Sequence, residues 1–194
     1  MKAEDCSALV LAGGFSSRMG RDKAELVLGG ETLIERQTAK LKRLGIADIM
    51  LSGYHKELEG TRLVPDLIPH KGPLSGIHAC LLAAEHPACL AVSVDVPLLP
   101  EKLLEELIEA HEGGITSAWH GEGKLEPLMA VYDCSLAAAA EEILHSEKTA
   151  MMKLLKHAEV RQVRYEGDED LLANCNTPEE FERIRRYVLQ ELKK

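Results

Sequence analysis

The feature that most constrains the fold is a short apolar run, Ala8–Leu11, that leads directly into two glycines, Gly13 and Gly14. A buried strand that ends in a glycine turn is typical of an α/β fold, and glycine lets backbone N–H groups approach a ligand closely. Arg18 and Lys23 follow in the same loop. Because the chain carries a formal net charge of −9, cations concentrated in one loop indicate a local anion site.

The glycine loop matches neither of the two most familiar phosphate motifs. It lacks the Gly-x-x-x-x-Gly-Lys-Ser/Thr pattern of a P-loop and the Gly-x-Gly-x-x-Gly pattern of a dinucleotide site. The bare pattern therefore leaves a tight turn with solvated Arg and Lys side chains open as the alternative.

Composition excludes several classes of protein. With 194 residues, 45% hydrophobic and 28% charged, we expect one soluble globular domain spanning 1–194, without a membrane span. The acidic balance argues against nucleic-acid binding. The N-terminus has no apolar signal region and the five cysteines form no Cys-x-x-Cys pair. We therefore expect a cytoplasmic protein with reduced thiols.

Strand-like and helix-like segments alternate along the first half. Apolar runs predict strands at Ser7–Leu11, Ala47–Ser52, Arg62–Val64 and Cys89–Val94, and helical spacing predicts helices at Glu31–Leu44, Ile77–Ala84 and Pro100–His111. Cys89–Val94 is apolar throughout, as a central parallel strand should be. The alternation predicts a three-layer, Rossmann-like α/β fold with a mostly parallel central sheet.

The second half is less regular. Strands are predicted at Ile115–Trp119, Leu128–Tyr132 and Val160–Tyr165, the first two joined as a hairpin, and helices at Ser135–His145 and Thr149–His157. A last helix is predicted to begin at Thr177, where Thr-Pro-Glu-Glu has the form of a capping box with proline at the first helical position.

Polar residues follow three of the predicted strands. In sheets of this kind ligands bind beyond the carboxyl ends of the strands, where the glycine loop, Ser52 and Asp95 are expected. Asp95, in a proline-containing turn, is well placed for Mg²⁺, which needs only one or two protein carboxylates beside water and phosphate. A turn-forming Asp bonded to its own backbone is the alternative.

Four segments together resemble the MobA-like nucleotidyltransferases. They are Leu11–Lys23, Pro65–Asp66 with Gly72–Gly76, Ser93–Leu98, and Ala173–Glu180. The resemblance implies the three-layer fold of the nucleotide-diphospho-sugar transferases. It also implies transfer of GMP from Mg-GTP to the terminal phosphate of molybdenum-bound molybdopterin, with release of pyrophosphate.

The resemblance implies a role for each matching position. Arg18, Lys23 and Asp95 would be catalytic, and Asp95 would hold Mg²⁺. The GTP-binding set would be Leu11, Ala12, Gly13, Gly14, Lys23, Ser52, Asp66 and Asp95, with the Asp66 carboxylate accepting from the guanine N–H donors. Asn174 and Asn176 alternate on an extended segment and would lie in the shell of the acceptor or the metal. The nucleotide-binding part would cover about 1–100 and the acceptor-binding part about 101–194.

The sequence also departs from the family pattern, and alternatives stay open. Ser52 stands where an Asn is frequent, and Glu126 precedes Pro127 where a His-Pro pair is frequent. The rivals are a CTP-using or sugar-phosphate nucleotidyltransferase of the same fold, and a non-catalytic carrier of nucleotide or pterin. The expected partners are GTP, molybdopterin, other cofactor-biosynthesis proteins and apo-molybdoenzymes, with neither nucleic acid nor membrane.

Overall fold

The structure, a computed structural model, describes residues 1–12, 22–121, 123–146 and 149–191. Gly13, Gly14 and Arg18, which the sequence assigns to phosphate binding, lie outside the described residues.

Strands and helices alternate as the apolar pattern predicts. The strands are β1 (Ser7–Leu11), β2 (Val27–Leu28), β3 (Glu31–Thr32), β4 (Ile49–Ser52), β5 (Arg62–Leu63), β6 (Ala88–Ser93), β7 (Ile115–His120), β8 (Lys124–Asp133) and β9 (Val160–Arg164). The helices are α1 (Leu33–Arg43), α2 (Pro73–Ala83), α3 (Glu101–Glu109), α4 (Ala137–His145), α5 (Met151–Leu154) and α6 (Pro178–Glu191).

Within the described ranges, seven strands form one sheet in the order β5-β4-β1-β6-β8-β7-β9. β1 pairs in parallel with both β4 and β6. β8 runs antiparallel to its neighbours β6 and β7, and β9 is parallel to β7. The mostly parallel sheet is confirmed. β6 is central as expected, but only one of its two partners is parallel.

Helices cover both faces of the sheet. The five residues of β1 are all buried, and they alternate between two apolar clusters because successive strand residues face opposite sides. Ala8 and Val10 belong to the cluster that takes in residues of α1, α3 and α6. Leu9 and Leu11 belong to the cluster with α2, α4 and α5. This gives the three layers predicted from the sequence.

The starts of α1 and α2 differ from the prediction. α1 begins at Leu33 because Thr32 accepts a hydrogen bond from the Glu35 N–H, while the Glu35 carboxylate accepts from the Thr32 N–H. α2 begins at Pro73, four residues before the predicted start. Gly72 precedes it with φ of 74°, and proline is favourable in a first helical turn.

The helix predicted over Thr149–His157 is wrong in extent, because α5 covers only Met151–Leu154. Beyond it, the N–H of Lys156 bonds to the carbonyl of Lys153, three residues back, at 3.0 Å. Such short-range bonds tighten the chain into a turn and do not extend an α-helix.

No helix among the described residues has the length and apolar character needed to cross a bilayer. The five cysteines are all unpaired. Burial raises the pKa of Cys6 and Cys80 to about 12, so these thiols stay protonated at neutral pH.

Candidate active site

Three parallel strands end at the same level of the sheet. Leu11, the last residue of β1, is in register with Ser52 of β4 and with Ser93 of β6. The chain that follows each strand therefore meets at one edge, and this edge gathers most of the described residues that the sequence assigns to function.

Lys23 lies at the centre of this edge. Its Nζ donates to Asp95 Oδ1 and to Asn176 Oδ1, both at 2.8 Å. Lys23 is 8% exposed, so its charge lies in a partly desolvated setting where a Coulombic interaction is stronger than in water. The structure thus joins three of the predicted residues into one contact set.

A short helix, Lys23–Glu25, fixes the position of the lysine. The Asp22 carboxylate caps this helix by accepting from the Ala24 N–H at 3.0 Å. The Glu25 carboxylate accepts from the Tyr54 hydroxyl at 2.6 Å and from Lys56 Nζ at 2.8 Å. The hydrogen bonds from Lys56 and Tyr54 hold the pKa of Glu25 below its usual range.

The backbone of Asp95 is fixed by hydrogen bonds at both its N–H and its carbonyl. Its N–H donates to Ser93 Oγ at 3.1 Å, and its carbonyl accepts from the Cys175 N–H at 2.7 Å. The sequence analysis did not predict the structural role of Cys175. This residue is fully buried and anchors the segment that carries Asn176. Burial raises its pKa to about 11, so the thiol stays neutral and acts by packing.

The segment after Cys175 continues into the predicted capping box. The Glu180 carboxylate accepts from the N–H groups of Asn176 at 2.6 Å and Thr177 at 3.0 Å, and the Glu180 N–H donates to Thr177 Oγ1 at 3.2 Å. The start of α6 therefore fixes the backbone of Asn176 next to Lys23.

The two predicted asparagines lie in different surroundings. Both residues are exposed. Asn176 contacts Lys23, whereas Asn174 lines a cavity of about 330 Å³ together with Glu180 and Arg183. The extended segment puts both amides on the side away from the buried Cys175, but only Asn176 reaches the lysine.

A second group of predicted residues meets beside β1 and β4. Ser52 Oγ donates to Asp66 Oδ1 at 3.2 Å, and the Ala12 N–H donates to the Ser52 carbonyl at 2.9 Å. A Cβ added to Gly76 would lie 2.2 Å from Ser52 Oγ and 2.8 Å from Leu11 Cδ2. Only glycine permits this close approach of α2 to the strand ends. Leu11 and Ala12 are buried. The Leu11 side chain packs against Gly76, and the Ala12 backbone bonds to Ser52.

The edge suits a hydrated divalent cation bound with phosphate. The Asp95 side chain is 32% exposed, and one of its oxygens is used by Lys23, which leaves the carboxylate accessible to a metal. Within the described ranges, no three His, Cys, Asp or Glu side chains converge as a metal cage. Mg²⁺ needs no such cage, because it binds through one or two carboxylates together with water and substrate phosphates.

A mostly parallel α/β sheet that presents a lysine and a carboxylate at its carboxyl edge is typical of enzymes that bind nucleotides. The family model for the MobA-like NTP transferase domain matches residues 8–163. The chain therefore belongs to the MobA-like nucleotidyltransferases, and it is a nucleotidyltransferase. Enzymes of this kind generally use a divalent metal ion.

Relatives extend the similarity over nearly the whole chain. A probable molybdenum cofactor guanylyltransferase of Pelotomaculum thermopropionicum is 37% identical over 92% of this chain and 91% of its own. The molybdenum cofactor guanylyltransferase of Rhizobium meliloti is 34% identical over 93% and 91%. The crystal structure of the molybdopterin-guanine dinucleotide biosynthesis protein A from Archaeoglobus fulgidus superposes with a TM-score of 0.78 at 25% identity, covering 95% of this chain and 99% of that chain.

Proposed function

We propose that the protein is a molybdenum cofactor guanylyltransferase. It transfers GMP from GTP to the terminal phosphate of molybdenum-bound molybdopterin and releases pyrophosphate. The observation that carries this proposal is the contact set of Lys23, Asp95 and Asn176 at the carboxyl edge. The names of the relatives support GTP and molybdopterin as the two substrates.

The reaction needs charge stabilisation more than proton transfer. The acceptor phosphate is already an anionic nucleophile at neutral pH, so its oxygen attacks the α-phosphorus of GTP without a general base. The bond from the α-phosphorus to the bridging oxygen breaks in line, and the electron pair leaves with pyrophosphate. Negative charge grows on the equatorial and leaving oxygens, where fixed cations stabilise it.

Lys23 is suited to that task by its hydrogen bonds. An ammonium group has three N–H donors, and Asp95 and Asn176 accept two of them. Among the described residues no other side chain is seen to accept from this ammonium, and we assign its third donor to a phosphate oxygen of the bound nucleotide. The two protein acceptors hold the ammonium in one orientation, which lowers the entropic cost of placing it at the transition state.

Asp95 would hold Mg²⁺ through its accessible oxygen. The ion, when bound, would neutralise phosphate charge beside Lys23. We propose Mg²⁺ among the divalent metals because the donors at this edge are oxygens, which Mg²⁺ prefers. Gly13, Gly14 and Arg18 are assigned to the phosphates as well, on the sequence pattern alone.

The group of Ser52, Asp66 and Gly76 is assigned to the guanine base. Guanine presents two adjacent donors, N1–H and the 2-amino group, and a carboxylate such as that of Asp66 accepts from both. Cytosine presents an acceptor, N3, at the corresponding place, so a carboxylate disfavours CTP. Ser52 already donates to Asp66 and thereby orients the carboxylate.

We assign the nucleotide to residues of about 1–100 and the acceptor to about 101–194, with Asn174 and Asn176 where the two meet.

We also propose a cytoplasmic location, which unpaired cysteines favour. Other cofactor-biosynthesis proteins and apo-molybdoenzymes would then receive the product.

Pyrophosphate release tests the proposal directly. The assay compares wild type with Asp95→Ala and with a control, Asp5→Ala, which alters an exposed residue distant from Asp95 in the sequence. Each protein receives Mg-GTP or Mg-CTP, with and without molybdopterin. We expect release only with GTP and molybdopterin together, and its loss in Asp95→Ala alone. Release with CTP and not with GTP would contradict the guanylyl assignment, and release from GTP that does not depend on molybdopterin would contradict the acceptor.

A further inference from the structure

Two polar side chains on the buried face of α1 bond to the turn that carries Asp95. Gln37 Nε2 donates to the carbonyl of Ser93 at 2.8 Å and to that of Val96 at 2.7 Å. Lys40 Nζ donates to the carbonyl of Pro97 at 2.8 Å. Three carbonyls around Asp95 are therefore fixed by one helix.

Two of these carbonyls also accept longer bonds within the turn, that of Ser93 from the Val96 N–H at 3.4 Å and that of Val96 from the Leu99 N–H at 3.3 Å. The ladder between β6 and β8 ends at the pair Ala91 and Ala130, because the two strands separate before the turn begins. An unpaired buried carbonyl costs about 1–3 kcal/mol. The donors from α1 give the carbonyls of Ser93 and Val96 shorter bonds, and they give the carbonyl of Pro97 a partner beyond the end of that ladder.

The placement of these donors is costly for the core. Gln37 is fully buried and Lys40 is 6% exposed, on the same helix face that buries Leu33 and Leu41. Burial lowers the pKa of Lys40 to about 7. The Gln37 Oε1 atom is buried without a hydrogen-bond partner among the described residues. A leucine at either position would pack without these penalties, so the polar groups point to a function that apolar packing cannot supply.

We propose that Gln37 and Lys40 are positioning residues for Asp95. They hold the backbone on both sides of Asp95, so that its carboxylate stays against Lys23 with an oxygen free for the metal. The inference rests on the proposed function, because it assigns the metal to Asp95. Gln37 is the stronger of the two, since it bridges the residues before and after the turn. Groups that orient a metal ligand from behind commonly change metal affinity about 10–100-fold when they are removed.

The test compares three variants of α1. Gln37→Met and Lys40→Met keep side-chain length but remove the donors. Thr38→Val is the matched control, because Thr38 is 3% exposed on the same helix and its hydroxyl donates to the Glu35 carbonyl at 2.9 Å, away from the turn. Binding of Mn²⁺ to the intact protein with GTP and no acceptor, read by electron paramagnetic resonance of the free ion, gives the metal affinity apart from catalysis.

We expect Gln37→Met to weaken Mn²⁺ binding about tenfold, Lys40→Met severalfold, and Thr38→Val not at all. Lys40→Met removes one hydrogen bond to the turn where Gln37→Met removes two, and it also removes a buried amine, so we expect it to fold. Its metal affinity tests the proposal if Gln37→Met does not fold. Retained stability with weakened metal binding is a split that a purely structural role would not produce. Wild-type affinity in the folded Gln37→Met and Lys40→Met proteins would overturn the proposal.

Asp95→Asn separates this inference from the proposed function. If Asp95→Asn binds Mn²⁺ as wild type does, the metal role of Asp95 is wrong, and amide hydrogen exchange over 93–96 tests the positioning role. Faster exchange in Gln37→Met and Lys40→Met than in Thr38→Val would support positioning of the turn. Equal exchange in all three would overturn it.

Discussion

Lys23 shows why the chemistry of this site depends on single residues. One ammonium joins the segment after the glycine loop, the turn after β6 and the segment before α6 through Asp95 and Asn176. The sequence predicts the identity of these residues, since each belongs to a motif. It does not predict Gln37 and Lys40, because polar residues on an amphipathic helix are ordinarily expected on its solvent face. Their signal is that both fall on the buried face of α1, among its apolar positions.

Lys40 has a measurable effect on stability. Its pKa falls from 10.5 in the unfolded chain to about 7 in the folded protein, chiefly through burial and with contributions from Arg36 and Arg43 that Glu101 and Glu31 oppose. Between these values the unfolded chain binds a proton that the folded protein does not, so the free energy of unfolding rises with pH. Urea unfolding at about pH 7 and about pH 9.5 should show this rise in wild type and a weaker one in Lys40→Met. An identical rise in both would contradict the lowered pKa.

Asp66 should control which purine is accepted. Removing the carboxylate in Asp66→Asn costs one charged hydrogen bond of about 1.5–3 kcal/mol. We expect the KM for GTP to rise at least about tenfold, with a smaller change in kcat. ITP, which lacks the 2-amino group, provides the comparison. Wild type should prefer GTP to ITP, and Asp66→Asn should lose most of that preference. A preference that survives the substitution would place the base elsewhere.

At the level of elements, alternation of apolar runs and amphipathic stretches was sufficient to predict the layers and most strands. It predicted the hairpin of β7 and β8 but could not give the antiparallel pairing of β8 with β6, since such pairing is set by long-range packing and not by local pattern. The start of α2 at Pro73 was also missed. Its first residues include Gly76, where periodicity offers no signal because glycine has no side chain to pack.

The contact between α2 and β4 makes Gly76 a sensitive position. In a helix interior, Gly→Ala ordinarily stabilises by about 1 kcal/mol. Here the new Cβ would meet Ser52 Oγ at 2.2 Å and Leu11 Cδ2 at 2.8 Å, so we expect Gly76→Ala to displace Ser52 and weaken GTP binding about tenfold. Calorimetric titration with GTP measures this. The double variant with Ser52→Gly, which removes the clashing atoms of Ser52, should recover part of the affinity. No recovery would place the damage elsewhere in α2.

At the level of the whole molecule, the site is assembled from segments that are distant in the sequence. Lys23 and Asn176 are 153 positions apart, and the buried Cys175 brings the late segment under the turn of Asp95. The sequence predicts each part through its motif. The different surroundings of Asn174 and Asn176 depend on the path of the chain into α6, which no local pattern encodes.

The two asparagines form a matched pair for mutation. Asn176→Ala removes an acceptor from Lys23 and should lower the rate of GMP transfer about tenfold. Asn174→Ala removes an exposed amide without a contact to Lys23 and should leave the rate at saturating acceptor within about twofold. Single-turnover kinetics with both variants would check this. Equal losses would mean that the contact with Lys23 does not set the contribution of Asn176.

The most direct test is a single-turnover reaction of GTP with molybdenum-bound molybdopterin, carried out with wild type and with Lys23→Met. Mass spectrometry identifies the product and gives the rate at which it forms. We expect wild type to add one GMP to the acceptor, and Lys23→Met to do so at least about a hundredfold more slowly, because a fixed cation at the transferring phosphate is lost. An acceptor that gains no GMP with wild type, or gains it at the same rate with Lys23→Met, would contradict the account.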